Sequence, residues 1–202
     1  MYGKPSILPR TAPIAVLEGS PDTCFVLSEL LSITYCNAAW DRFARENGGG
    51  PEVLASSIIP RNLLDFVNAD LKKYYADLFA QARALGRPVS HDYECSSASV
   101  FRLYRMQIYP LERGQGFFVT NSLRVERPHD RVALKPDNAI YIHSDGLIRM
   151  CANCRRTSRA ADPAAWDWVP AYVGPLEKRV SHGVCPMCLE FYYRPMTAKP
   201  AA

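Results

Sequence analysis

Four cysteines in two closely spaced pairs are the residues of this chain whose spacing is best suited to chemistry. Cys151 and Cys154 form one C-x-x-C pair, and Cys185 and Cys188 form a second pair farther along. Two thiolates in such a turn lie close enough to bind one metal ion, and a second pair completes a tetrahedral four-sulfur shell. Four protein ligands leave no open position for a substrate. The spacing therefore predicts a structural Zn²⁺ site without a catalytic role.

Two other uses of the four thiols are alternatives to zinc. An iron–sulfur cluster also takes four cysteine ligands, so spacing alone does not separate it from zinc. Thiol redox chemistry is the second alternative, although a thioredoxin-like pair would lie beside a βαβ pattern, and neither pair does. Structural disulfides are disfavoured, because the chain shows no export signal and cytosolic thiols stay reduced.

The composition favours one ordinary domain with a small appended unit. Of the 202 residues, 48% are hydrophobic and 11% aromatic, which is enough to bury a core. The net charge is +4, and four arginines lie near the cysteines in sequence: Arg149, Arg155, Arg156 and Arg159. Four thiolates on one zinc ion carry a local charge of about −2, which we expect these arginines to offset. Nucleic-acid binding by this basic segment is an alternative.

The N-terminal residues and the lack of a long apolar stretch predict a cytoplasmic protein. The first ten residues contain Lys4 and Arg10 and no apolar run of a secretory signal. No stretch reaches the length that a membrane helix needs, so we expect no membrane contact.

Cys24, Cys36 and Cys95 occur singly among strand-like residues and are interpreted as small core residues.

The first elements that could position these residues are a hairpin and a helix. Short apolar runs at 24–27 and 33–36 predict two antiparallel strands. Asn37 is the predicted N-cap of the helix that follows, in which Trp40, Phe43 and Ala44 form a buried stripe.

A short helix around 61–67 and a clearer long helix over 70–85 come next. Asn68 can cap the long helix, and Gly86 with Pro88 ends it. Its apolar side chains follow helical spacing at Leu71, Tyr74, Tyr75, Leu78, Phe79, Ala82 and Leu85.

Three further strands are predicted, at 89–95, 104–108 and 117–125. Alternation places Leu123 and Val125 on the apolar face of the last strand, together with Phe117. In the first of the three, it places Glu94 on the polar face opposite His91. The fold class is therefore α+β, a five-stranded antiparallel sheet with helices on one face.

This element order resembles a PAS domain over residues 15–127. The residues that carry the resemblance are Pro21-Asp22, Phe25-Val26-Leu27, Ile33 to Trp40 with its N-x-A-W stretch, and Pro110-Leu111. The resemblance implies a sensory or dimerisation domain, and hence a homodimer.

The rest of the chain is similar to a four-cysteine module of bacterial signalling proteins, where it follows PAS or response-regulator-like domains. The matching residues include Cys151 to Arg156, Trp166 to Pro170 and Ser181-His182-Gly183-Val184-Cys185-Pro186-Met187-Cys188. We expect Trp166 and Trp168 to pack over this module or to dock it on the PAS-like domain, and His182 to hydrogen-bond a metal ligand. The predicted domains are a PAS-like domain at 15–127, a linker at 128–148 and a zinc-binding module at 149–194.

The ligand of a PAS-like domain cannot be named from these residues. The flavin-binding motif of light-sensing PAS domains is absent, and the predicted long helix carries no histidine for haem. Three residues on the strands are candidates for a pocket: His91, Tyr104 and Asn121. Asn121 interrupts an apolar face, so its amide needs a partner in the core or in a ligand.

These features predict a non-enzymatic signalling protein, in which a PAS sensor or dimerisation domain is coupled to a structural zinc module that binds an unidentified signalling partner. No acid–base pair, nucleophile elbow or phosphate loop suggests an enzyme. Two alternatives are a redox or gas sensor with an iron–sulfur cluster on the four cysteines, and a nucleic-acid-binding regulator that uses the basic module.

Overall fold

A computed structural model describes residues 14–174 and 180–194 of the chain. These residues form two compact units. The first comprises residues 14–67, 75–91 and 104–123. The second comprises residues 68–74 and 92–103 and the described residues from 124 onward.

The elements up to residue 128 follow the predicted order of strands and helices. They are α1 (Ile14–Glu18), β1 (Thr23–Leu27), β2 (Ile33–Cys36), α2 (Ala38–Glu46), α3 (Ala55–Ile58), α4 (Ala69–Leu85), β3 (Val89–Glu94), β4 (Val100–Pro110) and β5 (Phe117–Pro128). The short helix predicted around 61–67 is a single 3₁₀ turn, Leu63–Asp65.

The strands β1–β5 form one sheet with the order β2-β1-β5-β4-β3. The first strand pairs antiparallel with both β2 and β5, and Phe25 lies opposite Val119. Because the first and last strands of the domain meet at the centre of the sheet, the topology is PAS-like. This confirms the predicted fold class.

The core of the first unit is built from α4 and the central strands. Leu78 and Phe79 of α4 are buried, as the helical spacing predicts. The Phe79 ring packs edge-on against Phe117 of β5, with 5.0 Å between ring centroids. Trp40 of α2 packs in the same way against Phe25 of β1, at 5.4 Å. Apolar burial of this kind is the main source of stability in such a unit.

The two asparagines predicted as N-caps differ in what their side chains do. Asn68 caps α4, because its Oδ1 accepts a hydrogen bond from the Asp70 amide. Asn37 precedes α2 as predicted, but its side chain does not cap the helix. Its Oδ1 accepts from the Cys24 amide and its Nδ2 donates to the carbonyl oxygens of Leu17 and Asp22. Asn37 therefore ties β1 to the segment before it.

The prediction that Leu123 and Val125 face the core is wrong. Their exposed fractions are 44% and 39%. The pairing of β1 with β5 reaches only to Thr23 opposite Asn121. Beyond Asn121, β5 no longer pairs with β1, so the alternation of side chains along β5 does not predict which of them are buried.

The second unit contains a second, smaller sheet that holds the four cysteines. Its elements are α5 (Asn138–Tyr141), β6 (Ile148–Cys151), β7 (Thr157–Ser158), β8 (Trp166–Asp167), β9 (Val180–Gly183) and α6 (Pro186–Tyr192). The strand order is β8-β7-β6-β9, with β9 parallel to β6 and the other pairs antiparallel. We call the described residues from Asn138 to Arg194 the cysteine module.

The cysteine module has a small apolar core of its own. Its buried members are Tyr141, Ile148, Met150, Val169 and Tyr172. Tyr141 belongs to the segment predicted as a linker, so that segment contributes to this core. No helix in the described parts of the chain is both long and apolar enough to cross a bilayer.

Candidate metal centre

The four predicted ligands converge on one point. The Sγ atoms of Cys151, Cys154, Cys185 and Cys188 all lie within 4.8 Å of one another, and all four residues are buried. The Sγ atoms of Cys154 and Cys185 are 3.7 Å apart. A tetrahedron of sulfurs at about 2.3 Å from a zinc ion has an edge of about 3.8 Å. This group of cysteines could therefore hold a metal ion.

Parallel pairing of β6 and β9 brings the two cysteine pairs together. Cys151 ends β6 opposite Gly183, and the amide that follows, of Ala152, donates to the Gly183 carbonyl oxygen at 2.8 Å. The first pair sits in a tight turn closed by the Arg155 amide, which donates to the Cys151 carbonyl oxygen at 3.1 Å. Arg155 takes a left-handed conformation, with φ of 62°, and this returns the chain towards β7.

The second pair is held by the start of α6. Cys185 is the N-cap of this helix, and its Sγ accepts a hydrogen bond from the Cys188 amide at 3.4 Å. The Cys185 amide in turn donates to Cys151 Sγ, also at 3.4 Å. Backbone donors that point at sulfur favour the thiolate form that a metal needs.

The crowding of four sulfurs opposes full ionisation unless a cation is present. Hydrogen bonds from the other cysteines, that from Cys154 first, lower the pKa of Cys151. Interactions with Cys151 and the other neighbouring sulfurs raise the pKa of Cys154 and of Cys188. A divalent cation at the centre would replace the shared protons and stabilise four thiolates together.

Asn153, between the first two cysteines, is a functional neighbour that the sequence reasoning missed. It is 2% exposed, and its Nδ2 donates to Cys188 Sγ at 3.2 Å. Its Oδ1 accepts from the Tyr193 hydroxyl at 2.9 Å and from the Glu94 amide at 3.1 Å. A polar residue between paired ligands is the only sequence signal that could have drawn attention to it.

A buried ion pair lies beside the first cysteine pair. Arg131 Nη2 is 2.7 Å from both carboxylate oxygens of Glu94, and its Nη1 donates to the Cys154 carbonyl oxygen at 2.8 Å. The Ser96 hydroxyl donates to the same carboxylate. Glu94 lies on the strand face predicted to be polar, yet it is 4% exposed. Its burial depends on Arg131, which no local pattern indicates.

The arginines expected to offset the thiolate charge divide into two groups. Arg156 Nη1 approaches Cys154 Sγ at 3.7 Å and Met187 Sδ at 3.6 Å. Arg149 and Arg159 instead pair with Asp145 and Asp167, at 3.3 and 2.6 Å. Among these arginines, the described side-chain contact with a cysteine sulfur of the cluster is that of Arg156. Nucleic-acid binding through Arg149 and Arg159 would have to compete with these aspartates.

His182 differs from its expected role, whereas Trp168 packs against other residues of the second unit. The His182 residue is exposed, and its carbonyl oxygen accepts from Asn68 Nδ2 at 2.6 Å. The side-chain amide of Asn153, and not the ring of His182, donates a hydrogen bond to a cysteine sulfur of the cluster. Trp168 is buried, with the Arg131 guanidinium 5.1 Å from its ring centroid and the His129 ring at 4.3 Å. Trp168 thus packs on the residues that hold Glu94.

The three candidates for a PAS pocket lie on neighbouring strands of the first sheet. His91 of β3 is buried and meets the Tyr75 ring edge-on, at 5.7 Å. Tyr104 of β4 is partly buried and packs against Phe43 at 5.8 Å. Asn121 Nδ2 donates to Thr23 Oγ1 at 3.2 Å, so the core supplies one partner for its amide. A ligand role for the three stays a prediction.

The three single cysteines are free thiols at varied depth. Cys24 is buried, and Cys36 and Cys95 are partly buried. Burial raises the pKa of Cys36 to about 12 and also raises the pKa of Cys24 and Cys95. Such thiols stay protonated at neutral pH, which fits a packing role.

Comparison with known structures gives likeness to PAS domains over about half of the chain. No protein-family model matches the sequence, and no curated protein is significantly similar to it. Among solved structures, the phage VqmA–DPO complex matches at 13% identity and TM-score 0.41, over 55% of this chain and 50% of the VqmA chain. This chain therefore spans half the length of that protein.

Two PAS domain structures match to a similar extent. The PAS domain of nitrogen regulation protein NR(II) from Vibrio parahaemolyticus is 16% identical over 56% of this chain and 97% of its own, with TM-score 0.35. The PAS domain of BvgS from Bordetella pertussis is 16% identical over 54% of this chain and 79% of its own, with TM-score 0.36. The strand order of the first sheet, and not these scores, carries the PAS-like assignment.

Proposed function

We propose that this chain is a cytoplasmic, non-enzymatic signalling protein in which a PAS-like sensory or dimerisation domain is coupled to a zinc-stabilised module that binds a protein partner. The observation that carries the proposal is the convergence of four buried cysteine sulfurs within 4.8 Å of one another. The proposed domains are 15–127, a linker at 128–148 and the zinc module at 149–194.

The distances favour one metal ion over a multi-iron cluster. In a [4Fe–4S] cluster each cysteine sulfur binds a different iron, and in a [2Fe–2S] cluster the four sulfurs divide between two irons. Both arrangements spread the ligands, whereas the mutual separation of all four sulfurs within 4.8 Å fits ligands on one ion. Four buried thiolate donors without an open position are typical of a structural zinc site. A single iron ion would fit the same shell, so the metal must be identified by measurement.

The partner surface that the module offers is the outer side of α6. Two of its apolar residues, Met187 and Phe191, lie one helical turn apart and are 63% and 76% exposed. With Glu190 and Arg194, Met187 and Phe191 line an open groove of about 420 Å³. Clustered apolar exposure on a soluble surface is typical of protein contacts. Because Cys185 and Cys188 bracket the start of this helix, metal binding would present the surface in a fixed conformation.

The test is metal analysis of the 202-residue chain purified without air, together with its absorption spectrum. A colourless protein with one zinc per chain supports the proposal. A brown protein that bleaches in air and contains iron and sulfide supports the redox or gas sensor instead. A protein without metal whose four thiols react freely with a thiol reagent overturns both.

A further inference from the structure

The side-chain amide of Asn153 has only one orientation that satisfies its neighbours. The backbone amide of Glu94 can only donate a hydrogen bond, and it lies 3.1 Å from Asn153 Oδ1. The oxygen is therefore on the Glu94 side, where it also accepts from the Tyr193 hydroxyl at 2.9 Å. The amide nitrogen must then face Cys188 Sγ, at 3.2 Å. Two donors fix the amide, so it cannot rotate away from the sulfur.

A hydrogen bond to a ligand sulfur does two things to a metal site. It favours the thiolate over the thiol, because a thiolate accepts a hydrogen bond much better. It also withdraws electron density from the sulfur and so tunes the metal–sulfur bond. Asn153 is 2% exposed, so water does not compete for this bond.

The same amide connects the sulfur to residues far away in sequence. Glu94 is 59 residues from Asn153, and Tyr193 is 40 residues away. The carboxylate of Glu94 binds Arg131, which donates to the Cys154 carbonyl oxygen. Glu94 is thereby attached to both cysteine pairs, through its amide to Cys188 and through its carboxylate to Cys154.

We propose that Asn153 is a positioning residue that holds the Cys188 thiolate for the metal and makes the order of the strand end at Glu94 depend on metal binding. Metal binding fixes Cys188, Cys188 fixes the Asn153 amide, and the amide fixes the Glu94 backbone N–H. Loss of the metal removes the first link and releases the amide of Glu94. The inference rests on the proposed metal site and adds the route by which metal occupancy reaches the end of β3.

The first test uses Co²⁺ in place of zinc, with three variants of the 202-residue chain. Asn153→Asp keeps the shape and the acceptor towards Glu94 and Tyr193 but presents an oxygen without hydrogen to Cys188. Asn153→Leu removes both functions, and Tyr193→Phe removes only one donor to Asn153. Changes to such supporting residues typically weaken metal binding about 10–100-fold, which we expect for both Asn153 variants. Tyr193→Phe should weaken binding about fivefold, as for loss of one neutral hydrogen bond.

The absorption spectrum of the Co²⁺ protein shows whether Asn153 acts on the sulfur or only supports the surrounding structure. Loss of the N–H donor raises the energy of the sulfur electrons, so the sulfur-to-cobalt charge-transfer band of both Asn153 variants should move to lower energy. Tyr193→Phe, which retains the donor, should leave the band at the wild-type position. Weakened binding with unshifted bands in both Asn153 variants overturns the positioning role, as does wild-type affinity in Asn153→Leu.

The second test follows hydrogen exchange of the Glu94 amide by nuclear magnetic resonance. Removal of zinc with a chelator should accelerate this exchange far more than about fivefold, because the cysteine module is expected to unfold without metal, whereas Asn153→Leu should accelerate it by about fivefold or more with zinc still bound. If neither zinc removal nor Asn153→Leu changes the exchange rate of the Glu94 amide, the proposed coupling between metal binding and Glu94 is wrong. A wild-type chain that binds neither Zn²⁺ nor Co²⁺ overturns the proposed metal site itself, and the inference with it, which is a distinct outcome.

Discussion

The two units of this protein bury different kinds of side chain. In the first unit the interior is apolar, with Leu78, Phe79 and Phe117 buried, and its described residues include three buried polar ones: Asn37, His91 and Asn121. The described residues of the second unit include six: Glu94, Ser96, His143, Asn153, Thr157 and Ser158. Its apolar core is small, and a polar network surrounds four thiols instead.

The difference indicates two sources of stability. The first unit can be stable through apolar burial, which needs no partner beyond the chain itself. The cysteine module has a small apolar core, so in the proposed site a bound metal would supply much of its folding free energy. Loss of one of these contributions should therefore destabilise one unit without the other.

The largest effect is expected from Cys185→Ala. Loss of one ligand should abolish tight metal binding and unfold the cysteine module, because structural zinc contributes on the order of 10 kcal/mol in small metal-dependent domains. The first unit should still unfold cooperatively. Thermal unfolding followed separately through Trp168 and Trp40, each retained alone by Trp→Phe replacements, measures the two responses. Cys36→Ala is the matched control and should keep its metal. Full metal content in Cys185→Ala would contradict the claim that the cysteine module depends on metal bound through Cys185.

The second effect tests the buried ion pair of the second unit. Glu94→Gln leaves the Arg131 charge buried without its counter-charge, and removal of one member of a buried pair costs about 3–5 kcal/mol. The side chains of Glu94 and Arg131 are 3% and 12% exposed. Glu190→Gln, in a pair with Arg194 that is about as close but exposed, should cost less than about 1 kcal/mol. If urea unfolding gives equal losses of unfolding free energy for the two variants, burial does not decide how much an ion pair contributes.

The sequence predicted those parts of the molecule whose signals are local. The cysteine spacing predicted that the four thiols would converge, because a C-x-x-C turn is a four-residue feature, and helical spacing placed Leu78 and Phe79 in the core. The residues around the ligands were missed because their contacts join distant segments: Asn153 with Glu94 and Tyr193, and Arg131 with Cys154. Leu123 and Val125 were misplaced for a related reason, since the end of β1 decides where the apolar face of β5 stops.

The third effect belongs to the first unit. Leu78→Ala should destabilise it by about 2–5 kcal/mol, because Leu78 is fully buried in the apolar core. Zinc content and the Co²⁺ spectrum should not change. Leu85→Ala, at the exposed end of the same helix, is the matched control and should change stability by no more than about 0.5 kcal/mol. Loss of metal from Leu78→Ala at a temperature where the variant is folded would show that the two sources of stability are not separate.

The smallest effect concerns Asp167, which joins β8 to the rest of the cysteine module. The Arg159 guanidinium, at 2.6 Å, and the Tyr141 hydroxyl, at 2.9 Å, donate to its carboxylate, and these bonds lower the pKa of Asp167 against the opposing effect of its burial. A carboxylate whose pKa is lower in the folded state stabilises the fold above its unfolded pKa of about 3.9, and the contribution is lost as pH falls through the folded value. Asp167→Asn should therefore lower the melting temperature of the zinc-bound module by a few degrees at most near neutral pH, and the two curves should converge in acid.

Melting temperatures of both proteins between neutral pH and pH 3 provide the measurement for Asp167. The acid loss of zinc is common to both proteins, so only their difference reports on Asp167. Asp145→Asn, in an exposed pair with Arg149, is the matched control and should stay closer to wild type throughout. A difference for Asp167→Asn that is constant with pH would mean that the carboxylate charge contributes nothing. In that case the polar network of the second unit would stabilise it through neutral hydrogen bonds alone.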